Sequence, residues 1–415
     1  PNGYVFAQNK NFPVFLFMAI IVALFMGLTV SAEEIIKDRK ILERETFLNL
    51  NWVSYLNSKI VYLFLLSGIQ TFSFILISSF ILEVEGMLLP FWLVLFSTSC
   101  FGNMIGLNIS ASLNSVITIY ILIPLILVPH LLLGGAMIKF DDLHASITSK
   151  KHVPLIGDIM ITRWAYEAMT VKQFKGNQFD KYFFEQDKML SEADYKTSFL
   201  IPELQARIQL AQRNINMGEN IEETRKDLRI IRNELTKLHQ DADKPPFEYN
   251  NQLTVEDLNE DIYEELEDYL IYIKLHFLKL GQQASEEKNE TYQALIEEHG
   301  RDWIRQLKND HHNQRLAEIV TNSTSVNKMY ETKDELIQKK DPIYMDPLSE
   351  WGRAHFYAPV KIVKGYEFDT FWFNIVIMWI GTAILYYILV FSLLKKLLSK
   401  LDEYLSGLSS FARNY

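Results

Sequence analysis

The sequence predicts an all-α polytopic membrane protein with a large water-facing helical insert. Two observations lead to this fold class: long apolar segments lie towards both ends of the chain, and a strongly charged stretch separates them. The whole-chain averages conceal this division, because 22% charged residues and a net charge of −10 are ordinary for a globular protein. The predicted parts are a membrane region at 1–137, the insert at 138–365, and a last span with its tail at 366–415.

Five segments are long and apolar enough to cross a bilayer as helices. A hydrocarbon core of about 30 Å needs roughly 20 apolar residues, and a helix satisfies its own backbone groups in lipid. Buried helices of a soluble protein are the alternative, but five helices that are apolar on every side would be unusual there. The predicted spans are 12–32, 60–82, about 88–107, 116–137 and about 368–394.

Basic residues in the short flanks orient these spans, because Lys and Arg favour the cytoplasmic side. The stretch 33–59 and the tail after the last span are rich in them, whereas the loop 83–87 and the turn 108–115 have none. With both basic flanks inside, the insert lies on the outer side. We therefore expect an integral protein of the bacterial inner (cell) membrane with an extracytoplasmic insert.

The third and fourth spans contain residues that a plain lipid anchor does not need. Asn103 and Asn108 accompany glycines in the third span, where small and amide residues let helices approach and hydrogen-bond. A break towards the outer end of the fourth span, as in the broken helices beside transporter cavities, is predicted from Pro124, Pro129, His130, Gly134 and Gly135. Ordinary packing and a helix terminus explain the same residues equally well, and a hydrogen-bonded helix-end role for His130 is favoured over a proton relay.

The segment at about 33–50 alternates apolar positions with dense charge of both signs. This pattern predicts an amphipathic helix at the inner membrane face. It is either a solvated linker helix or a docking helix for a cytoplasmic partner.

Several motifs resemble the permease domain of ABC transporters of the G-subfamily, the white and pleiotropic-drug-resistance type, in a bacterial-like form with an enlarged external loop. Asp38-Arg39-x-x-Leu42-x-Arg44-Glu45 is similar to the family's Glu-Arg-x-x-Phe-x-Arg-Glu, with mild departures at Asp38 and Leu42. The other motifs are Ser54-Tyr55-Leu56-Asn57-Ser58-Lys59, Gly106-Leu107-Asn108-Ile109-Ser110-Ala111, Pro124 to Gly135, Asn374, and Trp164-Ala165-Tyr166-Glu167-Ala168-Met169, which resembles Tyr-x-x-Glu-Ala-Leu.

The resemblance implies a six-span domain of which this chain holds five, with the first span upstream of Pro1. It also implies a homodimer and an ATP-binding domain, fused upstream or separate, which uses ATP and Mg. Asp38, Arg39, Leu42, Arg44 and Glu45 would dock on that domain and pass its motion to the spans. Simple intrahelical pairing is the alternative for these charges.

The resemblance assigns two further sets of residues. The first would mark the substrate path or helix breaks: Asn103, Asn108, Pro124, Pro129, His130 and Asn374. The second would form an external re-entrant element: Trp164, Tyr166 and Glu167.

The insert interrupts the transporter-like part between its last two spans. Apolar residues at steps of three and four predict a coiled-coil-like helical hairpin at about 203–239. A second apolar stripe at 255–280 is predicted to end at Gly281, and a further helix covers about 285–320. Such stripes are more often core than binding site, so the insert is predicted to be all-helical. An envelope component is one candidate partner for it.

No catalytic pattern appears in the chain. It has no Gly-x-x-x-x-Gly-Lys-Ser/Thr loop, so ATP is expected to bind outside it. His299, His311 and His312 fit no standard ligand set, and we predict no metal, cofactor or catalytic residue here. The acidic balance and the lack of a basic stripe argue against nucleic acid. The first four spans have no Asp, Glu, Lys or Arg in their interiors, which argues against an ion-coupled pump.

The sequence therefore predicts the permease part of an ATP-driven ABC exporter. It would move substrate across the membrane as a dimer, powered by an ATP-binding domain outside this chain. The alternative is a membrane-anchored assembly or sensor protein whose external helical domain recruits a partner.

Overall fold

The computed structural model describes residues 4–45, 51–144, 147–148 and 150–413. Within these ranges, four helices have the length and apolar composition to cross a membrane. They are Phe12–Leu42, Trp52–Leu82, Leu88–Ser112 and Thr370–Val390. Together with the largely helical remainder of the chain, they confirm the predicted fold class, an all-α polytopic membrane domain.

The membrane region is built from one helix per predicted span, with an added helix after the first. Its helices are α1 (Phe12–Ser31), α2 (Glu34–Glu45), α3 (Trp52–Leu82), α4 (Leu88–Ser112) and α5 (Val116–Leu132). Helix α5 has 17 residues and is about 25 Å long, so it is shorter than the predicted span 116–137. The chain leaves the helix at Gly134 and Gly135, and Gly135 has a positive φ of 83°.

Helix α4 packs against α3 and α14 and most closely against α1. A Cβ atom on Gly102 would lie 2.7 Å from the carbonyl oxygen of Leu24, and one on Gly106 would lie 2.7 Å from that of Leu28. Both distances are too short for a real Cβ contact, so glycine is required where the two backbones cross. The predicted role of small residues in the third span is confirmed.

The insert contains eight helices and two short antiparallel hairpins among the residues described. The helices are α6 (Leu155–Ile159), α7 (Ile161–Gly176), α8 (Phe184–Tyr195), α9 (Ile201–Met217), α10 (Ile221–Asp241), α11 (Glu260–His299), α12 (Arg301–His311) and α13 (Gln314–Val320). The strands are β1 (Met329–Glu331), β2 (Leu336–Gln338), β3 (Val360–Val363) and β4 (Tyr366–Asp369).

The hairpins differ from the prediction of an all-helical insert. Lys364 and Gly365 join β3 to β4 with φ values of 51° and 81°, the left-handed pair that a tight hairpin turn needs. Strand β4 runs directly into the last span, α14 (Thr370–Val390), and the Asp369 side chain accepts a hydrogen bond from the amide of Phe371 (3.0 Å). The hairpin therefore fixes the point at which the chain re-enters the membrane.

Helices α9 and α10 form the antiparallel hairpin predicted at 203–239. Gly218 ends α9 with a φ of 71°, and the amide of Glu219 donates to the carbonyl of Asn214 (3.0 Å), which closes the turn. The facing apolar residues are buried together with the inner side of α11: Leu204, Ile208, Leu228, Ile231, Leu266 and Ile273. This cluster gives the part of the insert that contains α9, α10 and α11 a core of its own.

Helix α11 corrects the prediction that a helix ends at Gly281. It has 40 residues, about 60 Å, and continues to His299. A Cβ atom on Gly281 would lie 3.1 Å from Cβ of Ala193, so this glycine lets α8 approach α11. Packing against α8 therefore explains the glycine that the pattern alone assigns to a helix end.

The part of the insert next to the spans, which includes α7 and α13, shares its core with them. Leu316 and Val320 of α13 and Ile343 belong to the same buried cluster as α1, α4, α7 and α14. After α14, Ser392 adopts a φ of 51° and the chain turns into the tail helix α15 (Leu393–Arg413), which leaves Leu397 and Leu401 exposed.

Candidate transport core and its two ends

Helix α2 is attached directly to the first span, at the end of the membrane region that we call the inner end. The opposite end, next to the insert, is called the outer end. Helix α2 follows α1 after two residues, and the amides of Ile35 and Ile36 both donate to Oγ of Ser110 in α4 (3.0 Å each). One hydroxyl therefore satisfies two of the unpaired N–H groups with which every helix begins. The start of α2 is fixed to the inner end of α4.

Asp38 joins α2 to α3. Its carboxylate accepts from the hydroxyl of Tyr55 (2.9 Å) and lies 2.9 Å from Nζ of Lys59, which also lies 2.9 Å from the carboxylate of Glu34. The three charged side chains are 24–30% exposed. These ion pairs therefore lie at the water boundary, where each contributes little to stability.

Arg39 joins α2 to the turn between α4 and α5. Its guanidinium donates to Oδ1 of Asn114 (2.6 Å) and to the carbonyl of Leu113 (2.7 Å). Glu33, one residue before α2, accepts a hydrogen bond from the hydroxyl of Tyr120 in α5 and pairs with Lys37 at 2.6 Å. Helix α2 is thus bonded to the inner ends of α3 and α4 and to the turn before α5, and the preceding Glu33 is bonded to α5 itself.

The predicted coupling residues divide into two groups. Asp38 and Arg39 are engaged within the chain, and Leu42 packs against the apolar cluster at the inner end of α3 and α14. Arg44 is exposed and donates to the carbonyl of Lys40 (3.3 Å). The side chain of Glu45 and residues 46–50 lie outside the described part of the chain.

Asn103 and Asn108 connect membrane helices. Nδ2 of Asn103 donates to Oγ of Ser67 in α3 (2.7 Å), which also accepts from Oγ of Ser99 (2.9 Å). Nδ2 of Asn108 donates to the carbonyl of Leu385 in α14 (3.0 Å). Both amides are buried, so their bonds tie α4 to α3 and to α14. Helix packing therefore accounts for these two residues.

The prolines of α5 lie within the helix and do not break it, whereas the helix does end just before Gly134 and Gly135, the two glycines of the predicted break. Pro124 and Pro129 are both followed by helical residues, and α5 ends at Leu132. Nδ1 of His130 lies 3.1 Å from the carbonyl of Ile126. The backbone carbonyl of His130 accepts a hydrogen bond from the hydroxyl of Thr162 in α7 (2.8 Å). His130 therefore has the hydrogen-bonded position near a helix end that the sequence favours.

At the outer end of the membrane region, Glu167 is the centre of a fully buried charge cluster. Its carboxylate accepts from Nζ of Lys361 in β3 (2.8 Å), from Nδ2 of Asn374 in α14 (2.9 Å) and from the amide of Tyr357 (3.2 Å). Nη1 of Arg163, one turn earlier, lies 3.3 Å away. The cluster joins the start of the insert, the end of the insert and the last span.

Opposite charges balance within this cluster. Arg163 also lies 3.6 Å from Asp158 and stacks on the ring of Trp164, with 3.8 Å from the guanidinium carbon to the ring centre. Burial would raise the pKa of Glu167, but Arg163 and Lys361 outweigh it, so that pKa lies below its usual value. Burial lowers the pKa of Lys361 to about 8 against the attraction of Glu167. A partner for every charge is what makes such a site tolerable.

Trp164 and Tyr166 belong to the same element. The indole of Trp164 donates to the carbonyl of Asp158 (2.7 Å), and the ring of Tyr166 packs edge-on against Phe17 of α1 at 5.4 Å. Helix α7 is buried from Ile161 to Val171, whereas α6 leaves Leu155 and Ile159 exposed. The predicted re-entrant element is therefore a buried helix preceded by a short turn with an apolar outer surface.

Sequence reasoning missed Arg163 and Lys361. A lysine between Val360 and Ile362 in an otherwise apolar strand is a signal that it pairs with a buried acidic side chain. Arg163 precedes Glu167 by four residues, the spacing of a helical ion pair. Among the residues described, no three His, Cys, Asp or Glu side chains are grouped as a metal ion would require. The cluster is suited to holding helices together.

These features define an integral membrane protein whose insert is joined to its spans. Residues 2–174 match the family described as ABC-2 type transporter. The match supports an ABC permease, covers α1 to α5 and ends within α7, so most of the insert and α14 lie outside it. No curated protein and no solved structure matches the chain significantly.

Proposed function

We propose that this chain is the permease part of an ATP-driven ABC exporter of the G-subfamily type. It works as a dimer and is powered by an ATP-binding domain that lies outside this chain and uses ATP and Mg. The observation that carries the proposal is the bonding of α2. This helix continues α1, is bonded to α3, α4 and the turn before α5, and packs through Ile36 against a cluster that includes residues of α5, so a force on α2 from the cytoplasm reaches four helices at once.

The composition of the spans supports an external energy source. Helices α1, α4, α5 and α14 contain no Asp, Glu, Lys or Arg, and α3 has only Lys59 near its cytoplasmic start. An ion-coupled transporter needs a titratable or ion-binding group within the membrane. The charges are instead concentrated at the two ends of the membrane region, where they hold helices together.

We assign the side of α5 that faces away from the rest of the chain to contact with the second copy. This side exposes a stripe of apolar residues at helical spacing, among which Ile117, Ile121 and Leu125 are 74%, 68% and 66% exposed. Only Ile119, Ile123 and His130 of this helix are buried within the chain. Such a face needs either lipid or another helix, and the resemblance to dimeric permeases favours a second copy.

Arg44 is the best probe of the coupling, because it is exposed and its hydrogen bond to the carbonyl of Lys40 stays within α2. In proteoliposomes containing the full-length protein with its ATP-binding domain, Arg44→Ala is expected to lower ATP hydrolysis while expression and melting temperature stay unchanged. Arg305→Ala, at a 77% exposed arginine of α12, is the matched control. Unchanged hydrolysis in Arg44→Ala, or an assembled protein without ATPase activity, favours the alternative of a membrane-anchored assembly or sensor protein.

The proposed orientation places the insert outside the cytoplasm of a bacterial cell. Cys100 is buried, so new cysteines report on their own positions. Val326→Cys, at a 93% exposed residue of the insert, is expected to react with a membrane-impermeant maleimide in intact cells. Leu397→Cys in the tail is expected to react only after the cells are opened. The reverse pattern would invert the topology.

A further inference from the structure

A cavity of about 270 Å³ lies where the chain leaves α5 and enters the insert. Its walls come from the segment that follows α5, from α13, from β2 and from the segment before β3. The interior is mainly aromatic and aliphatic: the ring of Phe140 packs edge-on against Phe356 at 5.1 Å, and Ile319 and Tyr166 also line it. We call it the exit cavity, because it adjoins the point where the chain exits the membrane.

Most of the cations around the exit cavity are paired. Lys339 lies 2.6 Å from the carboxylate of Asp141, and Arg315 lies 2.8 Å from that of Glu318. Lys151 forms an ion pair with Glu335. These three pairs cancel and leave no charge for a ligand.

Two lysines remain. Among the residues described, neither Lys139 nor Lys150 has a carboxylate within ion-pair distance, and both line the exit cavity. Lys139 is exposed, and Lys150 donates to the carbonyl of Asp141, a bond that leaves its charge uncompensated. The rim therefore carries two positive charges above an apolar interior.

The mouth of the exit cavity adjoins apolar surface. Ala136 lines the cavity only four residues after α5 ends, and its neighbour Met137 is 63% exposed. On the opposite wall Val153 is followed by α6, where Leu155 and Ile159 are 68% and 72% exposed. Exposed apolar side chains beside the end of a membrane helix are typical of the bilayer surface. A lipid can therefore reach the cavity without crossing water.

We propose that the exit cavity binds an anionic amphiphile from the outer surface of the membrane. The acidic headgroup lies between Lys139 and Lys150, and part of the acyl chain lies against Phe140, Ile319 and Phe356. A neutral lipid leaves the charges of both lysines without an anionic partner, and a free phosphate leaves the apolar interior unfilled. The inference stands apart from the proposed function, because binding is measured without ATP or transport.

The test uses the full chain in detergent, titrated by calorimetry with three soluble probes. They are dihexanoyl phosphatidylglycerol, dihexanoyl phosphatidylcholine and glycerol phosphate, which separate the headgroup charge from the acyl chains. The anionic lipid is expected to bind about tenfold more tightly than the neutral one, because its headgroup charge is attracted to two lysines at the membrane surface. Equal affinities for the two lipids, or glycerol phosphate binding as tightly as the anionic lipid, would overturn the proposal.

Two variants locate the binding. Lys139→Gln with Lys150→Gln is expected to abolish the tenfold preference, whereas Lys274→Gln with Lys279→Gln on α11 is expected to keep it. Leu348→Asp places a carboxylate on the lining at a 65% exposed position, so it should fold and weaken binding of the anionic lipid alone. A preference that survives both the lysine pair and Leu348→Asp would show that the lipid binds elsewhere and that the proposal is wrong.

Discussion

Charged side chains hold both ends of the membrane region together, but those at one end are buried in the protein and those at the other end are partly exposed to water. At the outer end, Glu167 and Lys361 are 0% exposed and share their site with Arg163 and Asn374. At the inner end, the pairs that Asp38 and Lys59 form are partly in water. The same chemistry therefore has different consequences at each end.

Burial decides what each set of charges does. Removing one partner of a buried pair costs about 3–5 kcal/mol, because the other charge stays behind without a partner. A pair at the surface contributes about 0–1 kcal/mol, since water replaces the lost partner. The outer cluster therefore fixes the insert to the last span, while the inner pairs can exchange partners at low cost. That asymmetry suits the proposed transporter, whose inner end must move.

The largest expected effect comes from Glu167→Gln. Arg163 and Lys361 then stay buried with only Asp158 to balance them, and the free energy of unfolding should fall by about 3–5 kcal/mol. Thermal unfolding of the purified protein measures the loss. Glu367→Gln, at an exposed position on β4, should change stability by less than about 0.5 kcal/mol. Adding Lys361→Met to Glu167→Gln should recover part of the loss, and no recovery would argue against charge as its cause.

The inner end has rigid contacts too, and Gly106→Ala tests them. The new methyl group would lie 2.7 Å from the carbonyl of Leu28, so α1 and α4 must separate, at about 1–3 kcal/mol. Gly68→Ala is the control, because its nearest neighbour is a ring atom of Phe96 at 3.6 Å. Similar melting temperatures for the two variants would show that this helix crossing tolerates a side chain.

Acid should weaken the outer end first, through His355. Burial lowers the pKa of His355 to about 4, and Nε2 of its neutral ring donates to the carbonyl of Pro342 (2.7 Å). The unfolded chain takes up a proton near pH 6.5 while the folded chain does not, so stability is lost as pH falls from about 6.5 towards 4. For this partly buried ring we expect the free energy of unfolding to fall by about 1–2 kcal/mol over that pH range. His355→Gln should flatten the pH dependence of unfolding, and an unchanged slope would assign it to another group.

The smallest effect on stability is expected at Asp38. Asp38→Asn removes an ion pair but keeps the shape, so unfolding should change by about 1 kcal/mol or less. If α2 transmits force, ATP hydrolysis by the assembled transporter should fall severalfold in the same variant. Glu256→Gln breaks an equally simple pair with Arg225 in the insert and should leave hydrolysis unchanged. Equal hydrolysis in both variants would remove Asp38 from the proposed coupling.

Several features could be predicted from the sequence because they depend on solvent and local pattern alone. Long apolar runs exclude water whatever their neighbours, so α1, α3, α4 and α14 fall where hydropathy predicts them. The α9–α10 hairpin also follows from spacing, since apolar steps of three and four with a glycine between them leave few other arrangements. The match of residues 2–174 to a transporter family agrees with the motifs in the same region.

Only the tertiary structure decided what the charged and small residues do. Gly281 is a helix contact and not a helix end because α8 lies against it. Asp38 and Arg39 face other helices of this chain, and Glu167 meets a lysine 194 residues away. Hydropathy is a property of each segment and is readable from it, whereas a buried charge is stable only through its partner. The sequence alone therefore determined that this chain is a membrane protein, and the packing of its helices determined which charges hold it together.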